Sequence, residues 1–319
     1  MSDLRPDLVA GLERLHAGYR VETLPGDAST RRFHRLYLAE GGTRIVMDYG
    51  APFAGETDDV RLARIFESAR LPVARVLDVL EDAGCLLLED LGDLTLEQAL
   101  KRDGRSFARA VELAADIATR GTVSLAGSER ASGPALDAER FGFEMRFFVE
   151  HFIQGFLGGA APPSLESALQ RLAVEVAGHP RVMCHRDYHS RNIMVRGDGK
   201  LAMVDIQDAR WGPDTYDIAS LLRDAYVDLD ETDVRESFER YVRLLPAGQD
   251  PALRHRFHLV ATQRMIKALG TFGYQIVRLG RERYRDAIPR TLGRLDRTLP
   301  SSPTTRALHA ELSSAGVFS

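Results

Sequence analysis

The stretch MCHRDYHSRNIMVRGDGKLAMVDIQDARWGPDTYD, from Met183 to Asp217, decides the fold of this 319-residue chain. Its polar core is HRDYHSRN, residues 185–192, which brings imidazole, guanidinium, carboxylate and carboxamide groups together in one short segment. Taken singly, each of these side chains is typical of a turn or of a helix cap. Their combination, followed by a specific hairpin pattern, indicates a functional loop.

The segment after residue 192 predicts a β-hairpin. The apolar run Ile193–Val195 is followed by the turn residues Gly197-Asp198-Gly199 and by a second apolar run, Leu201–Val204. An Asp-Gly pair between two apolar runs is a strong signal for a tight turn between antiparallel strands. The second predicted strand leads directly to Asp205.

The spacing of Asp187, Asn192 and Asp205 suits phosphoryl transfer from ATP. That reaction needs a group that orients the attacking hydroxyl and accepts its proton, and oxygen ligands that hold Mg²⁺ on the phosphates. Asp187 suits the first role, and Asn192 and Asp205 suit the second. The segment HRDYHSRN also fits the H-R-D-x-x-x-x-N pattern of a kinase catalytic loop.

The stretch resembles the aminoglycoside phosphotransferase and choline kinase-like family of small-molecule kinases. The family's loop has a second histidine two residues after the aspartate, where His189 stands, and Asp205 lacks the following Phe-Gly of protein kinases. The resemblance implies a bilobal α+β protein-kinase-like fold, with a small β-rich N-lobe and a larger helical C-lobe. It also implies ATP and Mg²⁺ as cofactors and a small molecule as acceptor.

The composition fits an ordinary globular protein. Lysine and arginine total 42 against 46 aspartate and glutamate residues, a net charge of −4, which favours neither nucleic acid nor a membrane as partner. The two cysteines, Cys85 and Cys184, lie in apolar runs, so we expect buried free thiols. No signal peptide or membrane span is indicated. We therefore expect a cytoplasmic protein, as a monomer or weak dimer.

Residues 1–91 are predicted to form the N-lobe, with strands on either side of a loop at residues 25–30 that faces the phosphates of ATP. Ser29 and Thr30 of this loop are candidate phosphate-binding residues. The third strand, Ile45–Asp48, lacks the lysine that kinases of this fold usually place there. Arg31 and Arg32 are the nearest candidates to replace it, and Arg32 is the predicted ligand.

The predicted hinge between the lobes is the segment 86–92. In the family, backbone groups of this segment bind the adenine, which makes Glu89 and Leu91 candidate nucleotide-binding residues. Residues 92–319 are predicted to form the C-lobe, with the catalytic loop, the metal site and the substrate cleft.

Candidate substrate-binding side chains lie on three parts of the predicted C-lobe. These are Glu144, His189, Asp208, Arg210 and Arg264. For Glu144 a solvated carboxylate on a helix surface is the simpler alternative. Asp208 is also a candidate for the metal. Asp217 is predicted to brace the catalytic loop from below, as the equivalent residue does in the family.

Within the family, several segments resemble the bacterial N-acetylmuramate/N-acetylglucosamine 1-kinases of cell-wall sugar recycling. They are Gly26–Phe33, Ile45–Asp48, Cys184–Asn192, Gln207–Ala209, Tyr216–Asp224 and Gln263–Gly270. The subgroup also has Met-Asp on the third strand. The resemblance implies phosphorylation of the anomeric hydroxyl of an amino sugar. Arg210, Arg264 or Lys267 would then meet the lactyl carboxylate of N-acetylmuramate.

Two other functions stay open from the sequence. One is a kinase for an aminoglycoside, a neutral sugar or an amino alcohol, for which the acidic stretch Tyr226–Glu236 offers charge complementary to a polycation. The other is a nucleotide-binding pseudokinase, which the missing lysine favours. The intact set of Asp187, Asn192 and Asp205 argues against the pseudokinase.

Overall fold

The computed structural model describes residues 4–16, 18–24, 31–101, 105–246 and 250–318. Their contacts divide the chain into two units. The first consists of Met1–Leu94 with Met194–Gln207, and the second of Thr95–Ile193 with Asp208–Ser319. The predicted boundary after Leu91 lies near the break at Leu94. The prediction assigned residues 194–207 to the C-terminal domain, whereas their contacts place them in the first unit.

The first unit has the strand order predicted for an N-lobe. Its elements are α1 (Pro6–Leu15), β1 (Tyr19–Thr23), β2 (Arg32–Leu38), β3 (Thr43–Asp48), α2 (Asp58–Ser68), β4 (Val76–Leu80) and β5 (Cys85–Glu89). The strands form one antiparallel sheet in the order β1-β2-β3-β5-β4. This confirms the predicted β-rich architecture.

Alternation of side chains along the strands gives this sheet two apolar faces. On one face Leu36, Val46 and Leu87 pack with Leu8 and Leu12 of α1. On the other face Val60 of α2 packs with a second apolar cluster of the sheet. This cluster contains Phe33, Ile45, Met47, Leu86 and Leu88. The sheet is therefore covered by one helix on each side.

The second unit begins with helices. They are α3 (Leu96–Leu100), α4 (Arg105–Asp116), α5 (Thr122–Ala126), α6 (Ala138–Phe148) and α7 (Pro163–Ala177). Two π-helical segments, Ile117–Gly121 and Val149–Phe156, continue α4 and α6 respectively. The strand β6 (Arg181–Cys184) then leads into the catalytic loop. The helical stretches over residues 105–126 and 138–156 thus each contain a π-helical segment.

The predicted hairpin forms β7 (Ile193–Val195) and β8 (Leu201–Met203). Its apolar side chains Met194 and Ala202 are buried with Leu91 of the hinge. The hairpin therefore supports the hinge from within the first unit.

The rest of the second unit is helical apart from β9 (Arg210–Pro213), which pairs antiparallel with β6. The helices are α8 (Tyr216–Leu222), α9 (Glu231–Leu244), α10 (Leu253–Val277), α11 (Ala287–Thr298) and α12 (Pro303–Ser314). None of the helices within the described ranges is long and apolar enough to span a bilayer.

Helix α10 packs closely against α6 and the π-helical segment after it. A Cβ on Gly273 would lie 2.4 Å from the carbonyl oxygen of His151, and one on Gly270 would lie 2.8 Å from the Cα of Phe148. Only glycine allows so close an approach of the two backbones. This packing brings the polar side chains of α10 to those of α6.

Candidate active site

The catalytic loop, residues 185–192, is held by the carboxylate of Asp217 in α8. The N–H of His185 donates to Asp217 Oδ2 at 2.6 Å, and the N–H of Arg186 donates to Oδ1 at 3.0 Å. Asp217 is buried, and this burial raises its pKa although His185 and the two backbone hydrogen bonds act in the opposite sense. The predicted bracing of the loop by Asp217 is confirmed.

Arg186 adopts a backbone conformation that is rare for a side chain of its size. Its φ is +81°, in the region that favours glycine. Such a conformation costs free energy and persists only where the surroundings fix it. The hydrogen bond from its N–H to Asp217 is one of the contacts that fix it.

A second carboxylate and one amide hold the far end of the loop. Asp224 Oδ2 accepts from the N–H of Ser190 at 2.8 Å, and its Oδ1 accepts from the N–H of Tyr226 at 2.9 Å. The side-chain nitrogen of Asn192 donates to the carbonyl oxygen of Asp187 at 3.0 Å. This hydrogen bond fixes the carboxamide of Asn192 through its nitrogen. An asparagine that binds a metal coordinates it through the carboxamide oxygen, which this hydrogen bond does not use.

The carboxylate of Asp187 is partly exposed and lies beside two cations of α10. Lys267 Nζ is 3.3 Å and Arg264 Nη1 is 3.7 Å from Asp187 Oδ1. Burial acts to raise the pKa of Asp187, but the charges of Lys267, Arg264 and Arg186 outweigh it and hold the pKa well below its usual range. Asp187 is therefore ionised at any pH at which the protein would work.

Glu144 of α6 lies beneath this pair. It is only 4% exposed, so the expectation of a solvated carboxylate is wrong. Its Oε2 accepts from the side-chain nitrogen of Gln263 at 2.7 Å. Lys267 Nζ and Arg186 Nη2 approach its Oε1 only to 3.9 and 3.8 Å, and Oε1 has no hydrogen-bond partner within the described residues.

Asp208 and Arg210 extend the charged cluster. Arg186 Nη1 lies 2.8 Å from Asp208 Oδ2, and Arg210 Nη2 lies 2.7 Å from Asp208 Oδ1. Burial and the charge of Arg186 lower the pKa of Arg210. Both oxygens of Asp208 are therefore engaged by arginines, which makes it a poorer metal ligand than the sequence suggested.

A cavity of about 130 Å³ opens beside Asp187. Its wall combines polar groups with an apolar surface, and includes Asp187, His189, Tyr226, Arg264, Lys267 and Phe272. The ring of His189 packs edge-on against Tyr226, and burial lowers the pKa of His189. The cavity thus offers one carboxylate, two cations and a neutral imidazole to a small polar ligand.

In the first unit, the hinge carboxylates are held by arginines. Arg35 of β2 is bidentate to Asp90, with Nε 2.7 Å from Oδ2 and Nη2 3.2 Å from Oδ1, and its Nη2 also donates to Asp93 at 2.7 Å. Glu89 pairs with Arg196 at 2.7 Å and with Arg75 at 3.2 Å. The side chains of the hinge are thus fixed on both sides of Leu91.

The backbone of Leu91 has polar groups to offer. Across the ranges that the structure describes, neither its N–H nor its C=O has a hydrogen-bond partner, although the residue is buried. Backbone groups without a protein partner are satisfied by water or by a ligand. The N–H donor and C=O acceptor of Leu91 would suit a ligand that has an acceptor atom and a donor atom side by side.

The other predicted nucleotide-binding residues lie apart from these contacts. Ser29 and Thr30 fall outside the described residues. Arg32 is exposed at the start of β2. Arg31 donates to the buried Asp59 of α2 at 3.0 Å, and Tyr49 donates to the same carboxylate at 2.6 Å.

Asp205 follows β8 in the first unit and is exposed. Its φ is +64°, and the side chain of Gln207 donates to its Oδ1. The described part of the chain contains no cluster of three or more His, Cys, Asp or Glu side chains that could hold a metal ion. A metal ion at Asp205 would therefore have few protein ligands. Mg²⁺ in phosphate-binding sites is commonly held by one or two carboxylates together with phosphate oxygens and water.

Sequence reasoning missed Arg35 and Gln263. Arg35 stands at the centre of β2 (RFHRLYL), and a charged residue at the centre of a strand is the signal that could have indicated it. For Gln263, no local pattern separates a buried partner of Glu144 from a solvated side chain beside the apolar stripe of α10.

Comparison with known proteins shows what the chain is similar to. The model of the phosphotransferase enzyme family matches residues 20–257. The chain is 29% identical over 281 residues to an N-acetylmuramate/N-acetylglucosamine kinase of Neisseria meningitidis serogroup B, covering 85% of this chain and 83% of that protein. It is 31% identical over 301 residues to the protein of the same name from Pseudomonas aeruginosa, covering 90% and 86%.

Solved structures share the fold. The choline kinase LicA from Streptococcus pneumoniae superposes with a TM-score of 0.61 at 14% identity, covering 89% of this chain and 97% of that chain. An ADP-bound aminoglycoside phosphotransferase, APH(2'')-Ib, superposes with a TM-score of 0.55 at 12% identity, covering 90% and 97%. At these identities the likeness concerns the fold alone.

Proposed function

The chain belongs to the phosphotransferase enzyme family, and we propose that it transfers a phosphoryl group from ATP to the C1 hydroxyl of N-acetylmuramate or N-acetylglucosamine. Membership makes it a small-molecule kinase that acts on a hydroxyl group. The names of its relatives support an amino sugar as acceptor. A place in the recycling of cell-wall sugars in the cytoplasm is part of the proposal.

The observation that carries the proposal is the position of Asp187. Its side chain is 29% exposed, its carboxylate is kept ionised by Lys267 and Arg264, and it lines a cavity of about 130 Å³. In the proposed reaction Asp187 accepts a hydrogen bond from the C1 hydroxyl and takes its proton as the phosphoryl group arrives. A carboxylate with so low a pKa acts mainly by orienting the hydroxyl, and positioning supplies most of the catalysis in such reactions.

The hinge fits the adenine of ATP. The N–H and C=O of Leu91 would pair with the acceptor and donor edge of the base. The apolar cluster of Leu91, Met194 and Ala202, with Ala74 and Val204 packed against it, would lie along its ring. Glu89 contributes to this segment through its backbone, since its side chain is engaged by two arginines.

We assign the phosphates to the loop that contains Ser29 and Thr30, with Arg32 in place of the missing strand lysine. Asn192 and Asp205 would hold Mg²⁺, which supplies charge neutralisation on the phosphates when bound. Both offer hard oxygen donors. Asp208 is left out of the metal site because its two oxygens already pair with Arg186 and Arg210.

The charge beside Asp187 argues against a polycationic acceptor. An aminoglycoside would have to place its ammonium groups near Lys267 and Arg264. The acidic stretch predicted to serve such a substrate includes Glu231, whose carboxylate pairs with Arg223. His189, Arg210 and Arg264 are instead proposed to line the amino-sugar site, with Glu144 supporting it from below.

The test is ADP formation with Mg-ATP and a panel of N-acetylmuramate, N-acetylglucosamine, glucose, galactose, choline and kanamycin. We expect turnover on one or both N-acetyl sugars, lost when EDTA removes Mg²⁺. Phosphorus NMR of the product should place the phosphate on carbon one. Turnover on kanamycin or choline instead would reject the amino sugar, and ATP binding without turnover on any acceptor would favour a pseudokinase.

A further inference from the structure

We propose that Lys267 binds a carboxylate carried by the sugar, so that the site selects N-acetylmuramate over N-acetylglucosamine. This inference rests on the proposed function and assigns a specificity-determining residue within it. N-acetylmuramate differs from N-acetylglucosamine by a lactyl ether on carbon three, which ends in a carboxylate. A cation near the acceptor hydroxyl is what would distinguish the two sugars.

The first argument is the balance of charge around Asp187. Within the described residues, five cations contact three carboxylates in one connected cluster. The cations are Arg140, Arg186, Arg210, Arg264 and Lys267, and the carboxylates are Glu144, Asp187 and Asp208. Asp217 lies below, with both oxygens taken by backbone N–H groups. Counted with Asp217, the cluster has five cations and four carboxylates, and Arg223 and Asp224 in the cavity wall offset each other. The remaining small excess of positive charge favours an anionic ligand.

The second argument concerns which cation has donors to spare. Arg186 and Arg210 pair with Asp208 at 2.8 and 2.7 Å. Arg264 donates to the hydroxyl of Tyr216 at 2.8 Å and lies over its ring. Each of these three guanidinium groups therefore has a short contact within the protein, although the Nε atoms of Arg186 and Arg264 have no hydrogen-bond partner within the described residues. Of the five cations, Arg264 and Lys267 line the cavity.

Lys267 is different. An ammonium has three donors, yet in the described structure it has one hydrogen-bond partner, Asp187 at a long 3.3 Å, and one more distant carboxylate, Glu144 at 3.9 Å. Charge-assisted hydrogen bonds are normally about 2.7–2.9 Å long. The contacts that Lys267 makes are therefore loose, and a ligand carboxylate can take a closer place.

The third argument is location. Lys267 and Asp187 line the same cavity, with Phe272 and Ala268 as an apolar wall beside them. In N-acetylmuramate the lactyl ether stands two ring carbons from C1. A lysine that contacts the group holding the C1 hydroxyl can therefore reach the carboxylate of the same sugar. The flexible four-carbon stem of lysine suits such a contact.

A rival role for Lys267 is to stabilise the phosphoryl group in transfer or only to orient Asp187. That role would serve both sugars equally, because both present the same C1 hydroxyl. Comparing the two sugars in one variant separates the roles.

The experiment measures kcat and KM of the full-length wild type, Lys267→Met and Lys267→Arg for both sugars at saturating Mg-ATP. Methionine keeps the length of the stem and removes the charge. In Lys267→Met we expect KM for N-acetylmuramate to rise about tenfold or more and KM for N-acetylglucosamine to change much less. The value of kcat should fall by a similar factor on both sugars, because Lys267 also contacts Asp187. Lys267→Arg should keep most of the preference for N-acetylmuramate.

An unchanged midpoint of urea unfolding shows that Lys267→Met is folded. An equal rise in KM for both sugars, or a loss of kcat with neither KM changed, would overturn the inference in favour of the rival role, and no change on either sugar would overturn it as well. A wild type that phosphorylates N-acetylglucosamine as well as or better than N-acetylmuramate would overturn it while leaving the proposed function intact. A wild type inactive on both sugars would overturn the proposed function together with the inference.

Discussion

The hinge of the first unit and the cluster around Asp187 in the second both place arginine or lysine side chains beside carboxylates. The two regions differ in the length of these contacts. At the hinge, Arg35 and Arg196 approach their carboxylates to 2.7 Å, in part as bidentate pairs. Around Asp187, the contacts of Lys267 and Arg264 are 3.3 and 3.7 Å long. The hinge contains short, matched pairs. The cluster around Asp187 also has short pairs at Asp208, but the contacts to Asp187 itself are long.

The difference shows what each set of charges does. Matched pairs between side chains leave nothing for a ligand and instead fix the backbone that carries them, which at the hinge includes the unpaired groups of Leu91. Long contacts leave hydrogen-bonding capacity, and that capacity is available to a substrate. Substitutions at the hinge should therefore act through ATP, and those around Asp187 should act through the acceptor.

The largest effect should come from Asp187→Asn. The amide keeps the shape of the side chain but cannot accept the proton of the acceptor hydroxyl, so we expect kcat to fall by about a hundredfold to ten-thousandfold. KM for ATP should stay within a few-fold of wild type, because the adenine site that we propose is at the hinge and not at Asp187. Steady-state kinetics with each substrate varied in turn would measure both. Full turnover by this variant would remove Asp187 from the proposed mechanism.

The second effect concerns the brace under the loop. Asp217→Ala leaves the buried N–H groups of His185 and Arg186 without their acceptor, at a cost of about 1–3 kcal/mol for each group. We expect the free energy of unfolding in urea to fall by roughly 2–5 kcal/mol and kcat to fall with it, since Arg186 would lose a contact that fixes its φ of +81°.

Asp217→Asn is the matched control, because its single remaining oxygen can accept one of the two hydrogen bonds. Its loss of stability should lie between those of wild type and Asp217→Ala. A fully stable and active Asp217→Ala would mean that other contacts hold the loop.

The catalytic loop and the hairpin were predictable because their signals are local. The offsets of Asp187, Asn192 and Asp205, and the Asp-Gly turn between apolar runs, lie within one short stretch. The structure contains the predicted hairpin at β7 and β8 and the predicted brace from Asp217. The succession of strands along the first unit was also predicted, whereas their order in the sheet, β1-β2-β3-β5-β4, was not.

The pairs that join distant elements were not predictable in the same way. Arg35 meets Asp90 across 55 residues, and Gln263 meets Glu144 across 119. A charged residue on a helix is usually solvated, which is why Glu144 looked exposed from its sequence. Its burial depends on the close approach of α10 to α6, which rests on glycines whose role only tertiary packing reveals.

A smaller effect should follow from loosening the hinge. Arg35→Lys keeps the charge but loses the planar fork that binds Asp90 and Asp93 together. Under the proposed function the backbone of Leu91 would then be less well placed for adenine. We expect KM for ATP to rise about threefold to tenfold, the loss of roughly one charge-assisted hydrogen bond, with KM for the sugar unchanged.

Arg75→Ala is the control for the hinge, since Arg75 is largely exposed and shares Glu89 with Arg196. Exposed pairs of this kind contribute little, and the kinetics should stay within about twofold of wild type. A sugar-specific defect in Arg35→Lys would contradict the separation of roles between the two regions.

The smallest effect separates two neighbouring arginines of the first unit and tests which of them replaces the strand lysine. Arg31 is paired with the buried Asp59, whereas Arg32 is exposed. By the rule drawn from the hinge, Arg31→Ala should lower stability by about 1–3 kcal/mol with little change in KM for ATP. Arg32→Ala should keep stability within about 0.5 kcal/mol and raise KM for ATP by roughly twofold to fivefold. Because exposed charges are screened by salt, the effect of Arg32→Ala on KM for ATP should be smaller at high than at low ionic strength.

The opposite result, in which only Arg31→Ala loses ATP binding, would mean that an arginine paired within the protein also binds a ligand. It would contradict the rule drawn from the hinge.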